Sequence, residues 1–117
     1  MVKVLALLKR KQGMTLEEFN DYWEHVHAEL VVATTEFVGG CRRYLLSQVI
    51  PGGLDSSLPV ADYDGCAELW FDDVETVNEA YLHERTKEVL FPDLPKFADV
   101  LHLMVVREVP IIGSVEA

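Results

Sequence analysis

The sequence predicts a single α+β domain of ferredoxin-like β-α-β-β-α-β order built on a four-stranded antiparallel sheet. Three observations predict it. Short runs suited to strands lie at 2–9, 41–50, 66–71 and 100–109. Helix-start signals stand at Thr15 and at Asp72-Asp73-Val74-Glu75, and each helical stretch falls where a compact sheet with both helices on one face needs a crossover. At 117 residues, 50% of them apolar, the chain has the size of one domain and can form a core without disulfide or metal staples, so 1–117 is read as a single domain.

The elements follow in order. Residues 2–9 are apolar on both alternating faces, as in a central strand covered on both sides, and the turn Lys9 to Gly13 closes them. Thr15-Leu16-Glu17-Glu18 fits a capping box, with Met14 and Phe19 at the staple positions. At about 100° per residue, Leu16, Phe19, Trp23, His27 and Leu30 share one stripe. His27 therefore faces inward, whereas His25 lies on another face. Gly39-Gly40 stops the helix, since glycine adopts positive φ without strain.

Cys41 to Ile50 reads as an edge strand because its arginines and Gln48 favour partial exposure. Residues 51–65 form a loop long enough to act as a lid or an intersubunit arm. Cys66 to Phe71 is a central strand, and Val74, Val77, Ala80 and Tyr81 mark one face of a helix running to about Glu84. Residues 86–97 look helical but broken, since Pro92 and Pro95 oppose continuation. The last strand, 100–109, runs to Pro110, leaving 110–117 as a tail.

Charge and hydropathy narrow the partners. Ten basic residues against twenty acidic ones give a net charge of -10, which repels nucleic acid and anionic membranes. The apolar run from Val4 to Leu8 is too short for a span and has no signal-peptide cleavage site, so a cytoplasmic protein is expected. Cys41 and Cys66 read as reduced structural thiols. With both helices on one sheet face, the other would expose an apolar patch, and a two-fold homodimer covers it.

The stretch from Met14 through Tyr22-Trp23-Glu24-His25-Val26-His27 to Leu30, then Gly40 to Tyr44, resembles the helix and second strand of the EthD family. Tyr63 to Asp72 and Lys96 to Asp99 are similar to its third strand and the approach to its fourth. The resemblance spans nearly the whole chain. It implies a dimeric α+β barrel, a superfamily that includes muconolactone isomerases, polyketide cyclases and anthrone monooxygenases, working without metal or flavin. This chain departs from the family pattern after the histidine, with Ala28-Glu29 where Gly-Pro is common, so the helix is expected to run on.

His27 matches the histidine of the family's Tyr-Trp-x-x-x-His motif. A neutral imidazole facing a sheet suits a general base near pH 7, while a core histidine satisfied by one hydrogen bond has the same placement. Tyr44 is either an oxyanion partner or a packing residue. Glu68, in a central strand beside Trp70, is either a substrate contact or the partner of Arg42 or Arg43. Trp23, Trp70, Phe71 and Phe97 are candidates to line an apolar pocket for an aromatic or lactone substrate, with ordinary core packing the alternative. His102 shares a face with Val100 and Met104, where a core or dimer-face role competes with substrate contact. His25-x-His27 is a poor metal site, because its rings diverge on a helix.

The leading expectation is a cofactor-independent enzyme shifting a proton at an activated carbon of a lactone, polyketide or phenolic compound. Cofactor-free oxygenation of an anthrone-like substrate and a non-catalytic role in an oxidative degradation system are the alternatives.

Overall fold

The computed structural model describes residues 1–113; the expected tail at 110–117 lies partly outside the described residues. β1 (Val2–Arg10), β2 (Arg43–Gln48), β3 (Gly65–Phe71) and β4 (Ala98–Val106) form one antiparallel sheet in the order β2-β3-β1-β4. The central placement of β1 and β3 explains their apolar character, and β2 is an edge as its polar residues suggested. Rows such as Leu46, Ala67, Ala6 and Leu103 cross the sheet in register. Val4, Ala6, Leu8, Ala67, Leu69 and Phe71 point to the helices and join Phe19, Trp23, Val31, Val77 and Phe97 in the core.

α1 (Leu16–Tyr22) starts with the expected reciprocal cap: Thr15 accepts from the Glu18 amide at 3.1 Å and Glu18 accepts from the Thr15 amide at 2.9 Å. A π-helical turn over Trp23–His27 leads straight into α2 (Ala28–Val38). The helix thus runs on past His27, as Ala28-Glu29 allows, and ends at Gly39 with φ 81°.

The second helical region differs from expectation. α3 (Val74–Leu82) and α4 (Glu84–Asp93) are separated at His83, not by the prolines. His83 is extended and its Nδ1 accepts from the Arg85 amide at 3.0 Å, capping α4 as a short polar side chain would. Pro92 sits inside α4 one residue from its end. There its missing N–H costs one hydrogen bond, to the carbonyl of solvent-exposed Glu88, which water can satisfy. Pro95 lies in the following 3₁₀ turn, Leu94–Lys96. β4 begins two residues earlier than its apolar run and ends three earlier, because pairing with β1 extends to Ala98 through a bulge at Lys9/Arg10 and ceases at Val106.

The loop after β2 crosses the sheet face away from the helices. Its ties are an ion pair between Lys9 and Asp62, a 2.8 Å bond from the Arg10 amide to Asp64, and one of 2.9 Å between Tyr63 and His102. It therefore does not cover the core face on which His27 lies. No helix among the described residues is long and apolar enough to cross a membrane.

Candidate active site

The π turn admits one extra residue and still turns both Trp23 and His27 inward, a local device common at functional sites. Trp23 is fully buried over the start of β3, where a Cβ on Gly65 would stand 2.3 Å from its ring. Only glycine lets the indole lie this low. One helical turn later, the His27 ring packs on Phe97 at 4.8 Å, and Phe97 in turn stacks on Tyr22 at 5.2 Å.

α4 supplies the partner that reading the sequence missed. Asp93 is 4% exposed, and its two carboxylate oxygens are divided between two side chains of the continuous helical segment that carries α1 and the π turn. Oδ1 accepts from the Tyr22 hydroxyl at 2.7 Å, and Oδ2 lies 2.9 Å from His27 Nδ1. Lys96 approaches Oδ1 at 3.7 Å from the solvent side. A carboxylate can only accept, so His27 Nδ1 carries the hydrogen and Nε2 presents its lone pair. No described residue bonds Nε2.

Electrostatics support this protonation state. Burial lowers the proton affinity of His27 more than Asp93 raises it. Burial also pushes Asp93 up, but the hydrogen bonds from Tyr22 and His27 outweigh it and hold the carboxyl below its usual range. Tyr22 is pushed up to about 12 by burial first and by Asp93 second, so it stays a donor. The result is a neutral imidazole oriented by an ionised carboxylate, an arrangement able to accept a proton and stabilise the imidazolium formed.

His27 borders a cavity of about 80 Å³ between sheet and helices, whose walls include Ala6, Leu8, Trp23, Leu69, Phe71 and Leu90. Tyr44 reaches it from β2 and Tyr81 from α3, while exposed Phe91 and Leu103 form its rim. Burial pushes both tyrosines' proton affinities up, keeping them neutral.

Of the residues singled out by sequence, His27, Tyr44, Trp23 and Phe71 meet at this cavity, and Phe97 backs His27 without lining it. Tyr44 makes no hydrogen bond to His27; the tyrosine coupled to the histidine, through Asp93, is Tyr22. Glu68, Trp70 and His102 lie on the opposite sheet face, and strand alternation explains why: adjacent Trp70 and Phe71 cannot face the same side. Glu68 bonds Lys3 at 3.0 Å and Ser47 at 2.6 Å, with Arg42 paired to Asp72 instead. Trp70 lies between Lys3 and Arg43, 5.0 and 4.7 Å from its ring, and His102 holds Tyr63. A signal for Asp93 existed: Thr86, Leu90, Asp93 and Phe97 share one helical stripe, and a carboxylate on such a stripe requires partners.

A family model described as EthD domain matches residues 11–100. Among solved structures, an ethyl tert-butyl ether D (EthD) family protein from Bacillus halodurans C-125 is 24% identical, with a TM-score of 0.70 over 93% of this chain and 99% of that one. A dimeric ferredoxin-like protein of unknown function from Bacteroides fragilis NCTC 9343 is 14% identical, with a TM-score of 0.67 over 92% and 95% of the two chains. A protein from Deinococcus radiodurans, named as a candidate antibiotic biosynthesis monooxygenase, is 15% identical, with a TM-score of 0.62 over 99% and 100%. No curated protein sequence matches the chain.

Proposed function

The chain belongs to the EthD domain family, and from that premise we propose that it is an enzyme moving a proton at an activated carbon of a small apolar or aromatic substrate, with His27 as base. The observation carrying this reading is that Nδ1 of a buried histidine is tied to a buried carboxylate, while the residue borders an apolar cavity and its Nε2 has no protein partner among the described residues. In the proposed step, Nε2 removes a proton from a carbon conjugated to a carbonyl. The C–H electron pair moves to the carbonyl oxygen, and the neutral hydroxyl of Tyr44 donates to the enolate formed. Asp93 balances the imidazolium, which returns the proton to a different carbon or oxygen.

The reading includes a homodimer. On the sheet face opposite the helices, Leu5, Leu7, Leu45, Val100 and Met104 form an apolar strip beside the polar cluster of Lys3, Arg43 and Glu68, and Met104 is 46% exposed. A second copy placed there would bury that face, with the loop after β2 as an arm.

The test uses 2-tetralone in D₂O, followed by NMR for deuterium entering beside the carbonyl, with and without oxygen. The wild-type protein is expected to accelerate exchange without consuming oxygen, and His27→Ala to abolish the acceleration with the fold intact. Exchange retained by that variant would refute the assignment of the base; oxygen uptake would favour an oxygenase.

A further inference from the structure

Six polar side chains line the cavity: His27, Thr34, Thr35, Tyr44, Tyr81 and Thr86. Two are satisfied by backbone, Thr35 donating to the Val32 carbonyl at 2.9 Å and Thr86 to that of Ala80 at 2.6 Å. Thr34, Tyr44 and Tyr81 have no hydrogen-bond partner among the described residues, although Thr34 is only 5% exposed. Among the described residues only Asn20 Oδ1 is a fully enclosed side-chain oxygen or nitrogen without a partner, so these three hydroxyls keep access through the cavity and can bond a molecule that enters it.

None of these three hydroxyls bonds the base. Thr34 follows His27 by seven residues, two turns or roughly 10 Å along α2, so it faces the same cavity farther along. Tyr44 lies opposite Leu69 in the sheet, and Tyr81 reaches the same cavity from α3. No Lys, Arg, Asp or Glu lines the cavity. A carboxylate or phosphate would lose its hydration here with no counter-charge, whereas a ketone or phenol oxygen would find neutral O–H donors.

The geometry points to Thr34, Tyr44 and Tyr81 as a subsite that anchors the neutral oxygen of a ketone or phenol entering the cavity. This rests on the reading of the cavity as a substrate site, and it adds two residues, Thr34 and Tyr81, together with the exclusion of anionic ligands. The cavity's roughly 80 Å³ is smaller than the ~150 Å³ void that takes up benzene in an engineered core, so a ring enters as the rim at Phe91 and Leu103 moves aside.

The experiment measures Kd by calorimetry for 2-tetralone, for tetralin, which has the same shape with CH₂ in place of the carbonyl, and for 2-naphthoate. Expected for the wild-type protein is a preference for 2-tetralone over tetralin of roughly tenfold, the scale of one good hydrogen bond, with 2-naphthoate weakest. The Tyr44→Phe/Tyr81→Phe double variant and Thr34→Val should reduce that preference, the former towards unity, while tetralin affinity holds. His27→Ala should leave the preference in place, which separates this subsite from the assignment of the base. Equal binding of 2-tetralone and tetralin, undiminished preference in the double variant, naphthoate binding best, or no binding of any probe would each overturn the subsite.

Discussion

His27 and Asp93 are 66 positions apart in sequence, yet His27 Nδ1 and Asp93 Oδ2 are 2.9 Å apart in the core. The contact joins the turn between α1 and α2 to the end of α4, and it converts an inward-facing histidine into an oriented one. Because Asp93 also accepts from Tyr22, its charge is held by two donors on one helical segment. Orientation of the imidazole therefore depends on how α4 docks.

The tautomer is directly measurable. In ¹⁵N spectra at pH 7.5, His27 should show a pyridine-like Nε2 and a protonated Nδ1. Replacing Asp93 by Asn removes the charge that raises proton affinity, so the His27 titration should move to still lower pH. An unchanged or upward-moving titration would refute the coupling. Turnover should fall about 10²–10⁴-fold with it, the usual range for losing an oriented base.

The same shift carries a stability signature. His27 binds its proton less readily when folded than in the open chain, whose value is 6.5, so on acidification the unfolded state gains protons first. Stability conferred by the buried neutral ring is present above pH 6.5 and is lost as pH falls from there to the folded-state value. Urea midpoints measured from pH 7.5 to 5 should decline in the wild-type protein. In His27→Gln the decline in that window should be smaller.

Asp93→Ala should destabilise the fold by about 2–4 kcal/mol in urea titrations, since it leaves the Tyr22 hydroxyl and His27 Nδ1 without their acceptor. The double variant Asp93→Ala/Tyr22→Phe should cost less than the sum of the two single changes.

Gly65→Ala tests how the indole of Trp23 reaches the sheet. A methyl there meets the ring at 2.3 Å, so a loss of about 1–3 kcal/mol is expected, with a shift in Trp23 fluorescence as the ring is displaced. Wild-type stability and emission in this variant would contradict the packing described.

Met104→Arg on the apolar sheet face should give a monomer by light scattering, with circular dichroism unchanged. A variant remaining as large as the wild-type protein would place any subunit contact elsewhere.

Much of this architecture was legible in the sequence. The capping box at Thr15, the stripe through Trp23 and His27, and the glycine stop at Gly39 are local signals, and local physics decided them. What escaped reading depended on distant partners. Pro92 argued for a break, but near a helix end one missing hydrogen bond is small beside the packing of Leu90, Asp93 and Phe97. Glu68 and Trp70 stood out as polar and aromatic residues in a central strand, and only the register showed that they pair with Lys3 and Arg43 across the outer face. Tyr81 read as helix packing, and only the folded chain brings it to the cavity wall with Tyr44.

The division of the base and its carboxylate between distant stretches of chain has a consequence for folding. A chain interrupted before α4 could still form the helix that carries His27, but its imidazole would lie in water, freely rotating and protonated like that of a peptide. Proton-transfer competence would then require the long-range docking of α4, making activity a reporter of complete folding.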